Sequence, residues 1–168
     1  MDHELPYSEL AREMLQQLPK GVFLSVRAGE EINTMTIGWG AIGFMWQKPV
    51  AIVLVRYSRY TYELLQKAQE FTLSIPLDSE MKKPLAMAGS SSGRDTDKFS
   101  ALQLKAQPAK CIGSPVIGEC GLIYECRVIY RQPMDPEMLD ADIKTKFYAS
   151  EDYHVLYFGE ILACYKNK

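Results

Sequence analysis

The sequence predicts a mainly β domain, an antiparallel barrel with helices inserted between its strands. Three observations lead there. Five or six segments rich in β-branched and aromatic residues recur along the chain, clearest in GLIYECRVIYR (121–131) and VLYFGEILAC (155–164). Helical stretches interrupt these segments without alternating regularly with them, which counts against a doubly wound parallel sheet. The longest apolar run, 50–55, falls far short of the ~20 residues that span a membrane.

The elements follow in order. Residues 8–18 carry Leu10, Met14, Leu15 and Leu18 at helical spacing, and Ser8 is placed to cap them. GVFLSVR (21–27) reads as a strand and 28–32 as a turn. Residues 33–46 combine β-branched and aromatic residues with three glycines, which suits a long strand bent by bulges or approached closely by a ligand. Lys48-Pro49 turns the chain into the strand 50–55, and a helix over 59–70 follows. Residues 71–75 form another strand, closed by Pro76. Residues 78–87 read as a helix despite Pro84, 89–93 as a loop, 96–102 as a short helix and 105–115 as irregular. The two clear strands close the chain.

At 168 residues this is one domain, 1–168, with its first 19 residues as an N-terminal helical extension. A net charge of −2 and scattered lysines and arginines argue against a nucleic-acid binder. MDHELPYSEL has no apolar signal core, so a cytoplasmic protein is expected. Four cysteines without CxxC spacing and only two histidines give poor support for a metal site; free thiols in a reducing compartment are the expectation.

The most informative stretch is RYSRYT, 56–61. It ends an apolar strand and opens a helix, whose first turn offers unpaired N–H groups and partial positive charge. Arg56 and Arg59 would add forked cationic donors, and Ser58 and Thr61 hydroxyls, which suits a small-molecule phosphate. The same residues also fit a plain Ser58 cap beside two solvated arginines.

Two short motifs mislead. Gly38-Trp39-Gly40-Ala41-Ile42-Gly43 matches GxGxxG, but FMWQKP and another strand follow where a pyrophosphate-binding helix is required. Gly89-Ser90-Ser91-Ser92-Gly93 matches GxSxG, yet a helix end precedes it rather than the strand of a nucleophile elbow, even though His154 stands in the right chain order for a base.

Three segments in order, NTMTIGWGAIGFMWQKP (33–49), VRYSRYTYELL (55–65) and SSGRDTDKF (91–99), together with QEFTLSIP (69–76), LIYEC (122–126) and YHVLYFGEI (153–161), resemble the flavin reductase-like family of FMN-binding split barrels, flavoredoxin-type members included. The resemblance covers about 20–163. It implies a six-stranded antiparallel Greek-key split β-barrel with inserted helices, forming a homodimer with FMN near the subunit interface. By that resemblance Asn33, Thr34, Met35 and Thr36 position the flavin ring, with backbone N–H groups near Thr36 and Ile37 toward its carbonyl and N5 edges and Trp39 as a wall. Arg56, Ser58, Arg59 and Thr61 hold the phosphate, and Lys98 adds a cation there or stands as an exposed lysine. His154 corresponds to a histidine near the flavin, catalytic or simply packed. One departure is Ala88-Gly89, where many relatives carry a cysteine before the glycine.

The function implied is an FMN-dependent oxidoreductase passing electrons from NAD(P)H through flavin to an acceptor. Its competitors are a flavoredoxin-type carrier served by a redox protein, and a non-catalytic flavin or haem sensor. Haem would need His154, His3 or a cysteine as axial ligand.

Overall fold

The computed structural model describes residues 5–167. His3 lies outside the described residues. The principal sheet is antiparallel with seven strands in the order β2-β1-β5-β8-β9-β4-β3. These are β1 (Val22–Ala28), β2 (Glu31–Ile37), β3 (Gly40–Met45), β4 (Lys48–Arg56), β5 (Glu70–Ile75), β8 (Leu122–Pro133) and β9 (His154–Lys166). A separate two-stranded ribbon, β6 (Ala106–Gln107) with β7 (Val116–Ile117), packs against β5, where the Ile117 N–H donates to Ser74 Oγ.

Among the described residues the expected count of six strands is corrected to seven, and no ladder closes the sheet into a barrel. The cause is local. Residues 33–46 are not one bent strand, because Gly38 and Trp39 break it into β2 and β3, which become the two edges of the sheet. Gly40 opens β3 with no room for a side chain: a Cβ there would lie 2.7 Å from the Ile52 carbonyl oxygen across the β3–β4 pair. Of the three glycines in the apparent dinucleotide motif, Gly40 alone is thus required by strand packing.

The turn into β4 also differs from expectation. It is Trp46-Gln47, both at positive φ (52° and 57°), as a two-residue hairpin of primed type requires. Lys48 and Pro49 already belong to β4. Pro49 faces Phe44 in a non-hydrogen-bonded pair, and pairing with β9 begins only at Val50, so its missing N–H costs no ladder bond.

Among the described residues five α-helices decorate the sheet: α1 (Ala11–Gln17), α2 (Tyr60–Ala68), α3 (Lys82–Ser90), α4 (Lys98–Ala101) and α5 (Ala141–Phe147). Ser8 does not cap α1, whose N-cap is Leu10 with no side-chain bond. Pro84 is tolerated because it stands in the first turn of α3, where its N–H would have no helical partner.

The main core fills one face of the sheet, with Val22, Leu24, Val53, Phe71, Leu73 and Tyr124 essentially inaccessible, and Met14 of α1 inserted among them. A second cluster on the other face joins Phe23 and Ile123 of the sheet to Leu85 and Ala88 of α3 and Phe99 of α4. That second cluster fixes the C-terminal end of α3 beside β2.

Candidate functional site

Two adjoining cavities open where β2 and β4 separate. The first, of about 170 Å³, is lined by Thr36, Ile37, Gly38 and Trp39, by Arg56 at the end of β4, and by His154 at the start of β9. The second, of about 160 Å³, is lined by Asn33, Ser58, Thr61, Lys98 and the 90–94 segment. Met35 and Arg59 line both. Thr34 is among the lining residues of neither; it is buried, accepting from Ser25 Oγ at 2.9 Å and donating to the Leu24 carbonyl at 3.3 Å.

Strand register decides which backbone groups face the first cavity. The β1–β2 hairpin closes with Ala28↔Glu31 across two residues, a pair that exchanges both hydrogen bonds. Alternation makes Val22↔Ile37 a bonded pair and Phe23↔Thr36 a non-bonded one. The Thr36 N–H therefore points out of the sheet edge, whereas that of Ile37 is spent on Val22. Of the two N–H groups expected at the ring, the edge offers one.

At the second cavity the start of α2 is open. Arg59 is its N-cap, in extended conformation (φ −77°, ψ 137°), and no side chain caps the helix. Ser58 is not the cap: its N–H and Oγ–H both go to the Asp152 carboxylate, at 3.2 and 2.5 Å. Asn33 Nδ2 donates to Thr61 Oγ1 at 2.9 Å, which leaves the Thr61 hydroxyl hydrogen for another acceptor.

Lys98 is buried, with 4% exposure, which excludes the exposed-lysine alternative. Its Nζ donates to the Ala88 carbonyl at 2.7 Å, and Arg59 Nη1 donates to the next carbonyl, Gly89, at 2.9 Å. These oxygens end α3 and carry its partial negative charge, so a helix C-terminus holds two cations together. Burial, then the neighbouring Arg59 charge, pushes Lys98 down to about 8. Asp97 caps α4 by accepting from the Phe99 and Ser100 N–H groups and so fixes the backbone at Lys98.

Arg56 is placed differently from expectation. It lines the first cavity rather than the one with Ser58, Thr61 and Lys98. Its guanidinium donates to the carbonyls of Asp152 and Phe147 and lies 5.0 Å from the Tyr148 ring centre, pinning the segment between α5 and β9.

His154 is also buried, with Nδ1 2.7 Å from the Tyr148 hydroxyl and its ring 5.3 Å from that of Trp39. Burial, then the Arg56 charge, lowers it to about 4, so the imidazole is neutral at pH 7.

Sequence reasoning missed Arg94, Tyr148 and Asp152. Arg94 lines the second cavity, donates to the Ser58 carbonyl at 3.0 Å and pairs with Glu63. It stood in the SSGRDTDKF segment, where only Lys98 was taken up. Tyr148 and Asp152 belong to no motif, and only the β4–β9 pairing brings them to RYSRYT. Ser91, the nucleophile of the hydrolase reading, donates its hydroxyl to the Met87 carbonyl at 2.8 Å as part of a helix end. Among the described residues no group of three or more His, Cys, Asp or Glu is arranged to hold a metal ion. Also among them, no helix is long and apolar enough to cross a membrane.

The site thus joins an open helix start to a buried lysine and a half-buried arginine at the rim of a split antiparallel sheet. The flavin reductase like domain family matches residues 15–168, and the chain belongs to that family. An uncharacterized protein of Archaeoglobus fulgidus is 29% identical over 155 residues, covering 92% of this chain and 77% of that protein. The flavoredoxin of Methanosarcina acetivorans superposes with a TM-score of 0.67 at 26% identity, over 86% of this chain and 67% of that one. The NADH:FAD oxidoreductase SgcE6 of Streptomyces globisporus superposes with a TM-score of 0.65 over 99% of this chain and 89% of that one; at 15% identity it shows the fold alone.

Proposed function

We infer that the chain binds FMN, with the phosphate in the second cavity and the isoalloxazine ring in the first, and acts as an oxidoreductase. The observation that carries this reading is charge placement: two cavities share Arg59, Lys98 and Arg56 stand on either side of it, and no carboxylate lines either one. That donor set fits a phosphate monoester. Arg59, Lys98, the Thr61 hydroxyl and the uncapped N–H groups of α2 supply charge-assisted and neutral donors. Met35, between the cavities, and the outward N–H of Thr36 suit a ring that is apolar on its face and polar at its edge. Trp39 walls the ring cavity.

Bound flavin supplies the hydride and electron chemistry, and the protein supplies orientation and electrostatics. Electrons enter from NADH or NADPH and leave to an acceptor. The flavoredoxin likeness supports a second version, in which a redox protein is the donor. Two copies associate through the aromatic face formed by Trp46, Tyr130 and Phe158, whose ring centres lie 5.1–6.0 Å apart. Trp46 is 58% exposed there and Phe44, on the adjoining strand, 62%.

The test is anaerobic reduction of the FMN-loaded protein. Flavin absorbance that bleaches with NADH or NADPH supports the reductase and names its donor. Absorbance that persists until dithionite is added favours the carrier.

A further inference from the structure

We propose that Tyr148 is a positioning residue for His154: its hydroxyl donates to Nδ1 and fixes the imidazole as the Nε2–H tautomer, which adds a further donor, beside Arg56, Arg59 and the Thr36 N–H, to the first cavity. The inference rests on the flavin reading for the identity of the acceptor, the carbonyl-bearing edge of the ring. The hydrogen bond is 2.7 Å long, and both residues are buried, Tyr148 at 3% and His154 at 8% exposure.

The direction of that bond follows from what each group has to lose. A phenol carries one hydrogen, and leaving a buried donor unmade costs more than leaving a lone pair unused. If Nδ1–H donated instead, the Tyr148 hydrogen would be stranded beside Arg56, whose guanidinium already covers the ring at 5.0 Å. Tyr148 therefore donates. Its ring is held from another direction by stacking on Tyr153, with centres 5.1 Å apart, so the hydroxyl has little freedom to turn away.

The imidazole does not take a second proton. Burial opposes a positive ring most, then Arg56, directly across the β4–β9 pair; Asp152 favours it and Arg59, at the start of α2, opposes it. Burial also keeps the Tyr148 phenol protonated. With Nδ1 occupied and the ring neutral, the hydrogen sits on Nε2. A donor held in this way binds an acceptor more strongly as negative charge develops on it.

The chain has two histidines, so ¹⁵N-histidine NMR assigns His154 by comparison with His154→Gln. The expected spectrum of the wild-type protein is that of the Nε2–H tautomer, unchanged between about pH 8 and pH 5.5. Tyr148→Phe keeps the ring contacts and removes only the hydroxyl. It should give averaged nitrogen shifts of mixed tautomers, and FMN affinity reduced about fivefold. A wild-type Nδ1–H tautomer, or a Tyr148→Phe spectrum identical to wild type, overturns the proposal. The expected tautomer behaviour with no FMN binding in either protein upholds the positioning role and overturns the flavin reading alone.

Discussion

Arg59 and Lys98 donate to consecutive backbone carbonyls, Gly89 and Ala88, at the end of α3, and thereby face the same cavity. Two cations side by side repel, and the helix end offsets part of that repulsion. On the FMN reading, the ligand's phosphate completes the arrangement.

Lys98 gives this a pH signature. Its folded value is lowered from 10.5 to about 8, so the unfolded chain holds that proton more tightly, and stability rises with pH between about 8 and 10.5. Phosphate binding reverses the shift by favouring the charged amine. FMN affinity should therefore be flat below pH 8 and fall by roughly tenfold per unit above it, until the bound form also deprotonates. Titrations from pH 7 to 9.5 check this, and Lys98→Gln should bind more weakly at pH 7 with the slope removed.

Asp152 occupies the Ser58 hydroxyl that the sequence assigns to phosphate, and the Ser58 N–H as well. Replacing it with alanine frees both donors and removes a nearby negative charge. Asp152→Ala should raise FMN affinity about threefold while lowering stability by about 1 kcal/mol through the lost bonds. Fluorescence titration and denaturant unfolding read the two effects separately.

Gly93 has no room for a side chain. A Cβ there would lie 2.2 Å from Asn33 Oδ1 and 2.9 Å from Tyr60 Cδ1, and Asn33 is itself buried and bonded to Thr61. Gly93→Ala should displace Asn33, cost about 1–3 kcal/mol of stability and weaken FMN binding by an order of magnitude. Thermal melting with and without FMN measures both.

Trp46 sits at positive φ in a tight hairpin, a conformation unfavourable for a bulky residue, and projects an exposed ring toward Tyr130 and Phe158. If that face joins two copies, Trp46→Glu should sediment as a monomer where the wild type sediments as a dimer.

Much of the fold was legible because its strands are long and locally consistent. The segment 121–131 falls within β8 apart from Gly121, and β9 extends the 155–164 segment by only one residue before and two after. Residues 33–46 failed as one strand because Gly38 and Trp39 interrupt it and send β2 and β3 to opposite edges of the sheet, a change of pairing partner that periodicity does not carry. At the site, Arg59, Thr61, Asn33 and Lys98 do line one cavity, since helix-start chemistry is local. Arg56 was grouped with them by adjacency in sequence, but the strand end aims it at Phe147 and Asp152 instead. Thr34 was included with its neighbours although alternate residues of β2 face different surroundings. Tyr148 and Asp152 were invisible because only the β4–β9 pairing brings them to the site.

The most direct measurement is titration of the purified protein with FMN, following flavin absorbance and fluorescence, beside Arg59→Gln and Lys98→Gln. The account predicts one FMN per chain, with affinity reduced at least about tenfold in each variant, as loss of a charge-assisted bond to phosphate requires. A wild-type protein that takes up no FMN, or variants that bind it as tightly as wild type, would contradict it.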